Sequence, residues 1–232
     1  MRKNSVLLVA LFATAVLLFT SEKSYSQVIK ATVIAGGNLT QVDGDECYGY
    51  KKVGLNVGAG VMIPFGKNWD VSMEALYNQK GAYQRQRYTD IGDGKTGAYE
   101  IKLDYVEIPV LVHYTDKGLV TIGAGFAYGR LINAKEYEHG EKTATTATND
   151  VYKTDDYSVV ADLRFKIYKQ LKLNVRYQYS MAKIRTRDFY TVDDEYMKTR
   201  DQYNNVISLR LVYVFFEERS DAIRKMRRQS AY

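Results

Sequence analysis

The chain has 232 residues, enough for one domain, and with 46% hydrophobic residues and a mean hydropathy of −0.35 it does not read as a helical membrane protein. Its formal charge of +6 is too mild to argue for nucleic acid as a partner. Twenty-one tyrosines against one tryptophan and two prolines favour strands and boundaries between wet and apolar surroundings, where a ring is buried and its hydroxyl stays solvated.

Taken from the N-terminus, residues 1–26 read as a signal peptide. Arg2 and Lys3 form a positive start, Ser5 to Thr20 is an uncharged, mostly apolar run, and Ser24-Tyr25-Ser26 offers small residues for cleavage before Gln27. The run is shorter than the roughly 20 residues that a spanning helix needs. No cysteine sits at the cleavage point, so a lipid anchor is not expected there. Processing removes Arg2, Lys3, Lys23 and Glu22, which lowers the formal charge by two.

From Val28 the pattern has period two rather than 3.6. Eight segments alternate in this way, at about 28–40, 52–65, 69–84, 100–114, 119–131, 156–167, 171–181 and 204–216. In the seventh, Leu171, Leu173, Val175, Tyr177, Tyr179 and Met181 alternate with Lys172, Asn174, Arg176, Gln178 and Ser180. The connections alternate in length. Short turns near Gly66-Lys67-Asn68, Thr115-Asp116-Lys117-Gly118 and Tyr168-Lys169-Gln170 are interleaved with long polar loops at about 41–51, 85–99, 132–155 and 182–203. Short periplasmic turns, long outer loops and an even strand number mark a transmembrane barrel. The expected fold class is all-β, an eight-stranded antiparallel up-and-down transmembrane β-barrel over 27–216, with a basic periplasmic tail at 217–232.

Strand direction follows from the loop lengths. On the apolar parity, Phe65, Trp69, Tyr114, Phe165 and Phe215 fall at periplasmic ends, and Tyr77, Tyr128, Tyr157, Tyr177 and Tyr179 fall towards outer ends. Aromatic belts at both interfaces are what a barrel in lipid requires. The opposite parity points inward and collects Lys30, Asp70, Glu74, Glu107, Asp162, Arg164, Lys166, Lys172, Arg176 and Arg210. Eight strands leave room for little more than side chains, so a packed polar core is expected rather than a pore. A buried charge needs a partner, and Glu74 and Glu107 are expected to be neutralised by Arg164, Arg176 and Arg210.

Gly54, Gly58, Gly60, Gly123, Gly125 and Gly129 share the inward parity, where long Arg and Tyr side chains from facing strands are the expected neighbours. Pro109 lacks a ladder donor and belongs at a bulge, which would shift the parity of Leu111 and His113. Cys47 has no second cysteine to pair with and is read as a buried or loop thiol.

The segment Leu103-Asp104-Tyr105-Val106-Glu107-Ile108-Pro109-Val110-Leu111-Val112-His113-Tyr114 resembles the Tyr-x-Glu-Ile-Pro strand of PorT-like outer-membrane β-barrel proteins of Bacteroidota. Ala35-Gly36-Gly37-Asn38-Leu39 and Gly123-Ala124-Gly125-Phe126-Ala127-Tyr128-Gly129 resemble two further stretches of that family. The resemblance singles out Tyr105, Glu107, Ile108 and Pro109 and implies an eight-stranded barrel in the outer membrane. It also implies a link to gliding and type IX protein secretion, although many relatives share only the fold. The chain departs from the pattern by continuing past Phe216 into Glu217 to Tyr232, with Arg224-Lys225-Met226-Arg227-Arg228 at the centre, a segment expected to be a solvated tail or to dock a periplasmic partner.

The expected function is non-enzymatic: a structural or interaction protein of the envelope, in contact with outer-membrane lipid or lipopolysaccharide and with secretion or other envelope proteins. The alternative is an adhesin-like or ligand-binding barrel using loop tyrosines such as Tyr83, Tyr88, Tyr99, Tyr137, Tyr190 and Tyr196. The acids Glu136, Glu138, Glu141, Asp150, Asp155 and Asp156 near the third long loop read as solvated. For an enzyme, only His113 and His139 offer imidazole, no Ser, His and acid converge by spacing, and no metal-ligand spacing exists, so no cofactor is expected.

Overall fold

The computed structural model of the chain describes residues 29–45, 47, 49–65, 68–86, 96–190, 196–215 and 217; the expected signal peptide at 1–26 and the tail beyond Glu217 lie outside them. Its strands are β1 (Lys30–Asp43), β2 (Lys52–Phe65), β3 (Trp69–Gln84), β4 (Tyr99–Asp116), β5 (Val120–Glu138), β6 (Glu141–Lys142), β7 (Asp155–Tyr168), β8 (Leu171–Ser180), β9 (Arg185–Tyr190) and β10 (Tyr196–Val214). Each barrel strand runs antiparallel to its neighbours in the order β1-β2-β3-β4-β5-β7-β8-β10. β10 then pairs β1, from Thr32↔Val214 to Asp43↔Tyr203, and closes an eight-stranded ring. Closure pairs backbone groups around the wall and leaves no sheet edge to face lipid. Among the described residues no helix is long and apolar enough to cross a membrane, so the crossing falls to strands.

Period-two alternation does the sorting, and it sorts in the sense opposite to a water-soluble protein. Val33, Ile63, Met73, Ile108, Val110, Val112, Ile122, Phe126 and Leu209 are exposed on the outer wall. Their strand neighbours Thr32, Ser72, Glu74, Glu107, His113 and Arg210 are buried in the lumen. Only an apolar solvent makes that arrangement stable. At the periplasmic rim, Trp69 lies 6.3 Å from Phe65 and 5.1 Å from Tyr114, ring to ring, and Tyr213 lies 4.8 Å from Phe215. Towards the outer rim, Tyr128 sits 5.5 Å from Tyr157 and Tyr179 stacks 6.2 Å from Tyr203.

Three expectations are corrected. The outer loops at 132–155 and 182–203 are partly strand: β5 continues to Glu138 and meets β6, and β10 begins at Tyr196 and pairs β9. One extra residue, Ile132, slips the β5 parity between Asp104↔Asn133 and Tyr105↔Leu131, which hides the continuation from a strict alternation count.

Pro109 makes no bulge. It pairs Ala127 in unbroken register, and the β3–β4 bridges pass from Met73↔Val110 to Leu76↔Glu107 without a shift, so Leu111 and His113 keep their inward parity and are buried. The inward glycines face different neighbours from those expected. A side chain at Gly58 or Gly125 would strike the backbone carbonyl of Ala75 or Val110 on the adjacent strand, and one at Gly123 would strike the His113 ring. Tight coiling of the wall excludes a Cβ at the first two. Only Gly129 meets side chains of the kind expected, Tyr105 at 3.4 Å together with Glu107 at 3.2 Å.

Candidate functional site: a filled lumen and an ordered outer cap

The lumen holds two tiers of charge. In the lower, Glu74 on β3 receives Arg164 Nη2 at 2.9 Å, Arg176 Nη1 at 2.9 Å and Arg210 Nη1 at 3.4 Å. Asp162 on β7 takes the same three side chains, at 2.7, 2.7 and 3.3 Å. Arg210 Nε also donates to Asn174 Oδ1 at 2.8 Å. Glu107 is not part of this set, which corrects the expectation that the arginines serve both glutamates. Its cation is Lys80, 2.5 Å away, which also pairs Asp156 at 2.9 Å. Asn78 donates to Glu107 at 2.6 Å, and Ser180 and Asn204 donate to Asp156 at 2.7 and 2.9 Å. Tyr105 lies under the Lys80 ammonium at 4.9 Å, so of the Tyr-x-Glu-Ile-Pro residues two face the upper tier, while Ile108 is exposed on the lipid side.

Below both tiers, Lys30 pairs Asp70 at 3.4 Å and Lys172 pairs Glu217 at 2.6 Å. Lys166 is the exception among the inward charges, half-buried at 3.8 Å from Glu217. Arg164, Arg176 and Arg210 are each less than 2% exposed, so solvent does not run past them. A lumen closed by interlocked guanidinium and carboxylate groups is a plug.

One sequence-level exclusion needs revision. Ser72 Oγ does lie 2.7 Å from His113 Nε2, with Asp162 Oδ2 at 3.9 Å from Nδ1. The second distance is too long for a hydrogen bond, Asp162 is already engaged by three arginines, and all three side chains are buried in the plug where no substrate reaches them.

The outer end is capped rather than open. Val42, Cys47, Ala82, Ile101, Leu103, Leu131, Ala134, Tyr152 and Ile184 form an apolar cluster joining strand extensions to loop residues. Over it sits Glu136, buried, accepting from Tyr99 at 2.5 Å, Arg185 at 2.8 Å and Thr145 at 2.8 Å. Burial pushes the Glu136 carboxyl up, but the Tyr99 hydroxyl and Arg185 outweigh it and hold the group below its usual range. Arg187 pairs Glu138 and lies 4.9 Å from the Tyr99 ring and 5.3 Å from Phe189. Beside it a cleft of about 240 Å³ is lined by Asp45, Gln84, Tyr99, His139, Arg187 and Phe189. Burial raises Asp45 to about 7, against the hydrogen bond from the Cys47 amide. Cys47, the one cysteine of the chain, is buried.

The acids of the third long loop therefore divide: Glu136 and Asp156 are buried, Asp155 pairs Arg130 at 3.2 Å, and Glu141 and Asp150 are exposed. Of the loop tyrosines, Tyr99 is turned inward and Tyr83 and Tyr196 are exposed; Tyr88 and the Tyr190 side chain lie outside the described residues. Lys80 and Asp156 were missed, Asp156 being read as a solvated loop acid, although each continues the inward parity of its strand and a longer count would have found it. No such count finds Tyr152, Ile184 and Arg185, since tertiary contact alone places them. Among the described residues no cluster of His, Cys, Asp or Glu could hold a metal ion.

Apolar exterior, aromatic rims and a charge-filled interior define an integral β-barrel membrane protein with a solid core. Residues 25–185 match the family described as outer membrane protein beta-barrel domain, and the chain belongs to it. It is an outer-membrane protein. Similar solved structures include Ail, the attachment invasion locus protein of Yersinia pestis (14% identity, 81% of this chain and 99% of that one, TM-score 0.45). Neisserial surface protein A is another (9% identity, 80% and 95%, TM-score 0.45), as is OprG of Pseudomonas aeruginosa (11% identity, 82% and 97%, TM-score 0.41). No curated protein matches the chain.

Proposed function

We propose that the chain is a non-enzymatic structural and interaction protein of the outer membrane, which acts through its outer cap on other envelope components. The observation that carries this reading is the contrast between the two ends of the wall. The lumen is spent on paired charge, whereas β5, β9 and β10 extend beyond the apolar band to build an ordered, charged platform. A membrane plug with a rigid exposed platform suits recognition better than transport. The finer assignment, an accessory role in type IX secretion or gliding, is supported by the likeness of the Tyr105 to Pro109 segment to the PorT-like strand. Co-purification of crosslinked envelopes tests it, with the intact chain and with residues 185–195 replaced by a short linker. A partner that follows the cap supports the reading, and a deletion strain with intact secretion and gliding removes the finer one.

The cleft beside Arg187 favours a second reading, a ligand-binding or adhesin-like barrel. Binding of labelled cells to a surface, with and without the same cap replacement, separates the two.

A further inference from the structure

On the outer wall, the apolar face of β4 ends at Val106, and Asp104, Lys102 and Glu100 follow on the same side. Lys102 stands directly opposite Lys135 of β5 in the ladder. Like charges placed in this way repel. Lys102 is drawn 3.3 Å from Glu100 and 5.1 Å from the Tyr137 ring, while Lys135 is exposed and makes no ion pair among the described residues. Nearby the β2–β3 ladder ends, although Leu55 N still donates to Gln79 Oε1 at 3.1 Å. The last bridged pair of β2 and β3 is Asn56↔Asn78, beyond which Asn38 and Thr40 of β1 take the carbonyls of Gln79 and Gly81 at 2.9 and 2.7 Å. A groove of about 310 Å³ opens there, lined by Lys52, Val53, Gln79, Lys102, Asp104 and Lys135.

The charges facing it do not cancel. Lys52 is held by Glu100 at 2.5 Å, and Asp104 is satisfied by amides, Gln79 at 3.1 Å and Asn133 at 2.8 Å. Lys135 is left over. The groove's edge is apolar: Val53 is 70% exposed and Leu55 46%. Four residues beyond Val106, at a rise of ~3.4 Å per residue and a tilt of ~40°, the two lysines sit about 10 Å above it, where headgroups flank the hydrocarbon core.

We propose that this groove binds the phosphate of a phosphorylated outer-leaflet lipid, with Lys102 and Lys135 on the phosphate oxygens and the acyl chains lying over Val53, Leu55 and Val106. The exposed aliphatic edge favours a lipid over free phosphate. The inference does not depend on what the cap recognises.

Native mass spectrometry of the full chain in detergent tests it, using bis-phosphorylated lipid A, the same lipid after enzymatic dephosphorylation, and inorganic phosphate as competitor. The wild-type barrel retains the phosphorylated lipid and not the dephosphorylated one. Retention falls about five-fold for Lys135→Gln and about twenty-five-fold for Lys102→Gln with Lys135→Gln, each lysine near an anionic surface contributing about equally. Millimolar phosphate leaves the complex intact. Equal retention by a double variant that keeps heat-modifiable migration overturns the proposal, and so does equal retention of the dephosphorylated lipid. Displacement by inorganic phosphate assigns the site to the free ion and overturns the lipid. The comparison of the two lipids needs no variant and decides the matter even if the double variant does not fold.

Discussion

Glu74 on β3 and Asp162 on β7 share the same three guanidinium groups. Neither carboxylate alone balances the three buried positive charges, so each offsets charge that the other leaves uncompensated. Glu74→Ala leaves three buried cations on one acid and is expected to cost about 3–5 kcal/mol. Urea unfolding in lipid vesicles, followed by the fluorescence of Trp69, measures it. Asp116→Ala, at an exposed turn, is the control and stays within about 0.5 kcal/mol.

The plug predicts electrical silence. Purified barrel in a planar bilayer is expected to show no stable conductance of porin size, because the described side chains close the lumen at the arginine tier. Sustained channel openings in single-channel recording would contradict it.

The cap contains two acids with opposite pH signatures. Asp45 is raised from 3.8 to about 7, so the unfolded segment loses its proton first, and the contribution of this group to stability falls as pH rises from about 4 to 7. Glu136 is lowered from 4.5, so its contribution is full above that value and is lost as pH falls through the lower, folded one. Asp45→Asn should slow hydrogen exchange at the Cys47 amide at pH 8 and leave it nearly unchanged at pH 4. Glu136→Gln should speed exchange across the cap at pH 7 and have less effect in acid. Exchange profiles that respond alike at both pH values would refute the assignment.

Trp69, the one tryptophan of the chain, sits in the periplasmic aromatic rim between Phe65 and Tyr114. Its emission is expected to be quenched more by lipids brominated near the headgroup than by lipids brominated at the chain end. The reverse order would move the rim into the hydrocarbon centre.

Strand number, direction and the inward charges were readable from the sequence because a barrel wall in lipid enforces strict alternation. Arg164, Arg176 and Arg210 follow from parity alone. The partner of Glu107 did not, since pairing across a lumen depends on stagger between strands, which parity leaves open. Ile132 masked the upper half of β5, and Pro109 suggested a bulge that the ladder avoids by skipping the Glu74–Ala75 rungs opposite Ile108–Pro109. The cap was least legible, for Tyr152, Ile184 and Arg185 gather from separate loops with no periodicity to announce them.

The lower tier sets three guanidinium groups against two carboxylates, and the upper sets one ammonium against two. The surplus of one tier is the deficit of the other. Chimeras between this barrel and a relative therefore have a natural cutting rule: the β7–β8 hairpin brings Asp156, Asp162, Arg164 and Arg176 to the two tiers as a set that sums to zero, provided that Glu217 travels with it to meet Lys166 and Lys172. Swapping β8 by itself strands a unit of charge in the middle of the bilayer.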